Sequence, residues 1–458
     1  MPTFSVSIEL TLPESFGSFQ EVEKKIFETV HEGGKELLGK VLKGYEESVL
    51  SKRVHQKKDL LKKKIQSLVG ELEIKRWRVK DIFLKKLVKP LDDWLGLKQH
   101  QQVSCGLGKE IVKQCVNHPY GVATLAANKS FGTKRSIVGN WKFIQSISQE
   151  EQKKVPKPPS WKHQSLKGLE SGEKDCCPLL GIDPDETYVR GRRKVDKNHE
   201  LKMAVIYSGK KPISPKNKKR RHLVQKQVIL GKVDKNAAQL FDRVMDKAVN
   251  DYGAHRETRA ICHGDGGSWI KQFKENYPLQ TLNRLDPYHA FKNIRSALSI
   301  EEIPKDWIKD FYTNPDQLIE KIRGLENELA DEEDQEKVKK LAQYFENNRE
   351  GMVPSGASKE FKREHPWMYL RGSGTIENNI FWTICRRFKY PRMMWSKKGL
   401  DNLSFLRERY LNDSLDFKRI KRSKIPAPQE SQRAQELRAV VKDFCSSGET
   451  EPEYWRLC

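Results

Sequence analysis

LLGIDPDETYV, residues 179–189, is the stretch on which the fold of this chain turns. Its apolar and β-branched residues make one run of strand length, and Asp183 and Asp185 stand two residues apart, which puts both carboxylates on one face of a strand. Two more runs of the same kind follow, LKMAVIYSG (201–209) and HLVQKQVILG (222–231), and the three read as a meander. Beyond them the rhythm alternates. AAQLFDRVMDKAVNDYG (237–253) has helical period, TRAICHGDGG (258–267) is a buried strand ending in a glycine-rich turn, SWIKQFKENY (268–277) is a second helix, and LQTLNRLD (279–286) is a further strand.

Three strands, then helix, strand, helix, strand is the order of a ribonuclease-H-like α/β fold, a mixed sheet covered by helices. The expected catalytic core therefore starts at 179–300 and finishes with helices at 371–412. Between them, 301–370 reads as a helical insertion, and residues 301–350 hold fifteen Asp or Glu against eight Lys or Arg, which makes it a poor surface for DNA. Upstream, 1–100 reads as a helix and strand region: apolar positions at helical spacing over 18–55, then alternation from 65 to 80. Within 101–150, the stretch 119–148 predicts two short helices broken at Gly132, with Thr133 as the N-cap of the second. Such a pair is either a DNA-binding helix-turn-helix or an ordinary helical hairpin. The Lys-, Pro- and Ser-rich stretch 151–178 reads as a linker, and 413–458 as a charged peripheral tail.

The 458 residues suffice for two to four domains at ~100–200 residues each. Lys and Arg total 86 against 62 Asp and Glu, a formal charge of +24, so a polyanion is the first partner to consider. The eight cysteines show no C-x-x-C spacing, which fits a reduced, cytoplasmic protein better than a zinc or disulfide scaffold. No run approaches ~20 apolar residues, and the first residues lack the pattern of a signal peptide, so neither membrane insertion nor export is expected.

Basic residues gather in three places. Lys134, Arg135 and Lys142 lie on or near the second predicted helix of the pair. KKPISPKNKKRRH (210–222) crowds Lys218, Lys219, Arg220 and Arg221 into what reads as a hairpin tip. Arg386, Arg387, Lys389, Arg392, Trp395, Lys397 and Lys398 form a basic, aromatic run near the end of the core. Each is a candidate DNA contact. Trp382, Phe388, Tyr390 and Trp395 suit either the stacking of unpaired bases or a core.

Cutting a phosphodiester calls for charge neutralisation at phosphorus, a deprotonated nucleophile and a stabilised leaving oxygen. Two Mg²⁺ or Mn²⁺ ions ~3.5–4 Å apart, held by hard oxygen ligands, supply all three. Asp185, with Asp183 beside it, ends the first strand run. Asp265 ends a later strand between Gly264 and Gly266, and Glu377 opens the basic helix in GTIENN (374–379).

Together, IDPDETYV (182–189), GDGGSWI (264–270), LDPYH (285–289), GTIENN and RRFKYPRMMWSKKGLDNLSFLR (386–407) resemble, in order and spacing, the bacterial ISLre-type insertion-sequence transposases, DDE enzymes distantly related to the Mutator group. The resemblance implies Asp185, Asp265 and Glu377 as the catalytic and metal-binding carboxylates. It also implies a role for His289, because Asp286 and His289 fill the pattern of a Cys or Asp followed three residues later by His. Pro184-Asp185-Glu186 replaces the usual Ala-Asp-Gly, which leaves Asp183 open as an alternative first ligand, and Gly267 stands where Ala is more usual. The implied activity is cutting of element ends and joining of the freed 3′-hydroxyls to target DNA. Double-stranded DNA is then the partner, a homodimer or larger assembly pairs the two ends, and no nucleotide cofactor is needed.

Overall fold

The computed structural model describes residues 3–9, 18–50, 55–82, 85–97, 101–155, 179–192, 197–214, 217–255, 257–352, 375–390 and 392–415, with side chains of 217–220 outside that description. The chain divides into two units after Gly108.

In the first unit a single long helix, α1 (Phe19–Leu50), precedes the antiparallel pair β1 (His55–Ser67) and β2 (Gly70–Asp81), the short β3 (Leu87–Val88) and α2 (Pro90–Leu95). Its core gathers Leu42, Ile65, Ile74, Leu91 and Leu97. β1 starts ten residues before the alternation at 65; four of the five lysines of HQKKDLLKKK, Lys57, Lys58, Lys62 and Lys64, are exposed, while Lys63 turns inward. The buried Arg76 pairs with Asp92 at 2.6 Å, and Lys63 reaches the same carboxylate at 3.2 Å.

The second unit follows α3 (Cys105–Asn117), a helix the sequence reading did not separate, with α4 (Tyr120–Phe131) and α5 (Ile137–Lys153). Gly132 ends α4 in the left-handed region at φ 56°. The N-cap of α5 is Ser136, whose Oγ accepts from the Gly139 amide, and not the expected Thr133. Thr133 instead donates to Asn128 Oδ1 at 2.8 Å.

A mixed five-stranded sheet has the order β10-β9-β4-β5-β8. β4 (Leu179–Arg190) runs parallel to β9 (Arg259–Gly264) and antiparallel to β5 (Asn198–Tyr207); β10 (Gln280–Leu285) extends the parallel side and β8 (Gln227–Leu230) the antiparallel side. Helices α6 (Ala237–Tyr252) and α7 (Ser268–Asn276) supply the crossovers between β8, β9 and β10. Period-two alternation decides the faces: Leu180 and Ile182 of β4 pack with Leu240, Phe241, Val244 and Met245 of α6, so Gly181, Asp183 and Asp185 look the other way.

The meander departs from expectation at its third member. KKPISPKNKKRRH is not a hairpin tip but most of a separate two-stranded ribbon, β6 (Gly209–Ser214) with β7 (Asn217–Val224), and only QVIL returns to the main sheet as β8. Lysine and proline masked the strands because one face of this ribbon is solvated.

Helices α8 (Pro287–Leu298), α9 (Lys305–Thr313), α10 (Pro315–Glu326), α11 (Glu332–Asn347) and α12 (Arg349–Met352) follow, with a core of their own around Phe311, Leu318, Ile322, Val338 and Phe345. The chain then returns to the sheet through α13 (Thr375–Ile380), a π-helical segment (Phe381–Lys389) and α14 (Lys397–Leu411). Glu408 of α14 accepts from the Leu230 amide at 2.8 Å and pairs with Arg243, clamping α14 to β8 and α6. Most of 151–178 and the tail from 416 lie outside the described residues. No described helix is long and apolar enough to cross a membrane.

Gly181 and Tyr207 are register partners, and a Cβ on Gly181 would lie 2.2 Å from the tyrosine ring. The missing side chain therefore lets the ring lie across β4. Gly181→Ala is expected to lower stability by about 1–3 kcal/mol through overpacking. Urea denaturation measures this, and an unchanged midpoint would contradict the packing described.

Candidate active site

Strand register gathers the acids. Along β4 each paired residue faces the residue 80 positions later in β9, Leu179 facing Arg259 and Ile182 facing Cys262. Continued for three residues, that register sets Asp185 beside Asp265. Between β9 and β10 the offset is 21, with Leu285 facing Gly264, and the next step sets Asp265 beside Asp286. The Asp286 amide donates to the Gly264 carbonyl at 2.8 Å. Asp265 and Asp286, just past the ends of β9 and β10, thus come level with Asp185 in the middle of the neighbouring β4.

The turn after β9 fixes Asp265. Its Oδ1 accepts from the Gly267 amide at 2.9 Å, and its carbonyl accepts from the Tyr344 hydroxyl at 2.7 Å. Gly266 has φ 91°, and a Cβ there would meet the Asn348 side chain at 2.6 Å, so the turn requires glycine twice over.

Glu377 approaches from α13, which packs on β4 and β5. His289, one turn into α8, stands with Nδ1 3.0 Å from Asp286 Oδ2 and 3.7 Å from Glu377 Oε1. Asp286, His289 and Glu377 have ligand atoms all within 4.8 Å of one another, the one such set among the described residues. Asp185, in β4, and Asp265, just past β9, adjoin that set but lie outside it.

Burial raises the Asp185 carboxyl to about 6; the negative charges of Asp265 and Glu377 add to the rise, against the Glu186 amide and His289. Burial also raises Glu377, with the Asp286 charge adding to it. His289 is raised above its ordinary value chiefly by its hydrogen bond with Asp286.

Asp183 occupies a different environment. It is fully buried, its Oδ1 2.9 Å from His263 Nδ1, and it accepts from the Tyr207 hydroxyl at 3.3 Å. Of the two aspartates in IDPD, Asp185 stands further beyond the last pairing of β4 with β9, at Ile182; it does not end its strand as expected, because β4 runs on along β5 to Arg190.

A divalent cation fits the chemistry of this place. Both Glu377 oxygens are buried without a hydrogen-bond partner among the described residues, and buried carboxylate oxygens left unpaired are costly. The donors are hard oxygens, with one imidazole at the side.

The proposed DNA contacts sort into two groups. Lys134, Lys142, Arg386, Arg392, Lys397 and Lys398 are exposed, although Lys397 pairs with Asp234 at 3.2 Å. Arg387 is only 1% exposed and donates through Nε and Nη2 to the Cys115 carbonyl, so it closes the end of α3 and is not free for DNA. Trp395 is buried against Phe388 and donates from Nε1 to the Phe388 carbonyl at 2.9 Å, so neither ring is available for stacking. Arg135 is half-buried and bonded to Asn140. Arg221 is half-buried on β7; Lys218, Lys219 and Arg220 have side chains outside the description.

Two features escaped the sequence reading. Lys210 is buried at the start of β6, 5.4 Å from the centre of the Tyr207 ring, and burial lowers its pKa while Asp183 and Asp286 hold it up. Asp286 stands in line with Asp185 and Asp265, a placement that follows from register alone.

A family model described as "Uncharacterised protein family (UPF0236)" matches residues 13–421. No curated protein matches the chain in sequence. Among solved structures, a chain of the Drosophila P element transposase strand transfer complex is similar at 8% identity and a TM-score of 0.32, covering 66% of this chain and 92% of that one.

The raised Asp185 pKa sets a pH dependence. The folded, metal-free protein holds this proton up to about pH 6, whereas the unfolded chain loses it near the ordinary value of 3.8, so stability falls as pH rises through that window. Asp185→Asn is expected to remove this dependence and stabilise the metal-free protein at neutral pH by up to ~3 kcal/mol. Urea denaturation of both proteins in chelator across the window checks it; parallel pH profiles would contradict the burial of an uncompensated charge.

Proposed function

The chain belongs to the uncharacterised protein family UPF0236, and we propose that it is a DNA transposase, cutting strands at element ends and joining the freed 3′-hydroxyls to target DNA. The observation that carries the reading is the row Asp185, Asp265 and Asp286, brought level on three adjacent parallel strands and faced by the carboxylate of Glu377, whose oxygens have no hydrogen-bond partner among the described residues. The strand order β10-β9-β4-β5-β8, with β5 and β8 on the antiparallel side and β9 and β10 on the parallel side, supports a ribonuclease-H-like catalytic sheet.

On this reading Asp185, Asp265 and Glu377 hold two Mg²⁺ or Mn²⁺ ions. Bound there, the ions would neutralise the phosphate, lower the pKa of the attacking water or 3′-hydroxyl and stabilise the departing oxygen. Asp265 is preset by the Gly267 amide, so its outer oxygen needs no reorganisation. Asp286 fixes His289 by their 3.0 Å contact, and His289 in turn orients Glu377. Exposed Arg386, its guanidinium 4.5 Å above the Trp382 ring, and exposed Lys398, Lys134 and Lys142 provide cations for duplex backbone. Exchange of one phosphodiester for another requires no nucleotide cofactor, and pairing two ends calls for at least a dimer.

The test uses labelled duplexes carrying element ends, with Mg²⁺ or Mn²⁺. Wild type is expected to cut and join, Asp265→Asn to fall to background, and His289→Ala to lose ~10–100-fold as a residue supporting a ligand. Cutting without joining would replace the transposase reading with a nuclease, and DNA binding with no cutting would leave a binding protein.

A further inference from the structure

A second basic site lies further along the same strand. β4 leaves the carboxylates at Asp185 and ends at Arg190, five residues at ~3.3 Å or roughly 17 Å away. The helical stretch from Glu377 to Lys389 runs to the same place, twelve residues at ~1.5 Å or roughly 18 Å. Where the two arrive, Tyr188, Arg190, Arg192, Lys197, Lys389 and Arg392 line a pocket of about 720 Å³. Five cations face it, and among the described residues its lining holds no carboxylate and none of the five is paired with an acid.

Three observations say what could fill it. At about 720 Å³ the pocket has the volume of a small-ligand site, room for a nucleotide or two. Tyr188 is 55% exposed at its edge, offering a ring face beside the charges. Arg392 is held at φ 49°, a left-handed conformation that costs a residue with a side chain energy and so marks a position whose direction is fixed by its surroundings. Around these, the backbone is well anchored: the Trp395 amide donates to the Arg190 carbonyl at 3.0 Å and the Arg192 amide to the Trp395 carbonyl at 2.9 Å.

We infer that this pocket is a subsite for an unpaired DNA strand, phosphates on the five cations and a base against Tyr188, roughly 17 Å along β4 from the carboxylates. The inference rests on the transposase reading and adds to it where the frayed strand goes. Arg190 ends β4 and Lys389 ends the π-helical segment, while Arg192 and Lys197 follow β4 before β5 and Arg392 follows the π-helical segment, so the subsite is built on the continuations of the two elements that carry Asp185 and Glu377.

The experiment is a salt titration of binding, by fluorescence anisotropy, of the full chain to a forked duplex with an unpaired tail and to the same duplex blunt-ended. Wild type is expected to prefer the fork. Arg192→Gln and Lys197→Gln are each expected to lower the salt slope on the fork by ~0.7. Tyr188→Ala is expected to lose roughly tenfold on the fork and nothing on the blunt duplex. Equal binding of fork and blunt duplex by wild type, or wild-type slopes in both cation variants, would overturn the subsite while leaving cutting and joining intact. Failure of wild type to bind either DNA would overturn the subsite and the transposase reading together.

Discussion

Four carboxylates crowded on the parallel side of a mixed sheet set the terms for the rest of this molecule. Asp185, Asp265 and Asp286 are brought level by backbone register, and Glu377 is brought over them by α13. Like charges so placed repel, and burial makes each more costly, which is why the Asp185 and Glu377 carboxyls are both pushed up. His289 is the cationic partner nearest to them among the described residues, and Asp286 already engages it. An arrangement of this kind is stable as a fold because backbone hydrogen bonds impose it, and it is electrostatically incomplete until positive charge arrives.

The surrounding scaffold is correspondingly rigid. On the reverse face α6 seals the sheet with Leu240, Phe241 and Val244. On the carboxylate face, Gly181 makes room for the Tyr207 ring, whose hydroxyl reaches Asp183, and His263 closes the other side of that buried acid. Two buried arginines fix the returning helices: Arg387 caps Cys115, and Arg407 donates to the carbonyls of Val116, Trp382 and Thr383. Charged hydrogen bonds to otherwise orphaned helix-end carbonyls hold the π-helical segment in position. Mechanical support for Glu377 therefore comes from the same basic run that composition assigned to DNA.

That double use marks the limit of what could be read from residues alone. The strand at 179–189 was legible as an apolar, β-branched run because its first six residues are buried on both faces, and the helix and strand succession after 237 was legible from the apolar positions that pack on the sheet. Asp185, Asp265 and Glu377 could be nominated individually as acids at element ends. Their alignment with Asp286 could not, since register between distant strands is decided by tertiary pairing. Arg387 and Arg386 are neighbours of identical chemistry, yet one is sealed in the interior and the other stacks on Trp382 in solvent; sequence carries no signal that separates them. The β6–β7 ribbon was hidden by its own lysines and proline, whose turn chemistry outweighed a strand held by few apolar contacts.

The most direct test of the central claim is Mn²⁺ binding to the full chain, followed by electron paramagnetic resonance. Saturable uptake by wild type, lost in Asp185→Asn and in Glu377→Gln while both variants remain folded, is the expected result. Uptake that is absent in wild type, or undiminished in both variants, would contradict the reading of these carboxylates as a divalent-cation site.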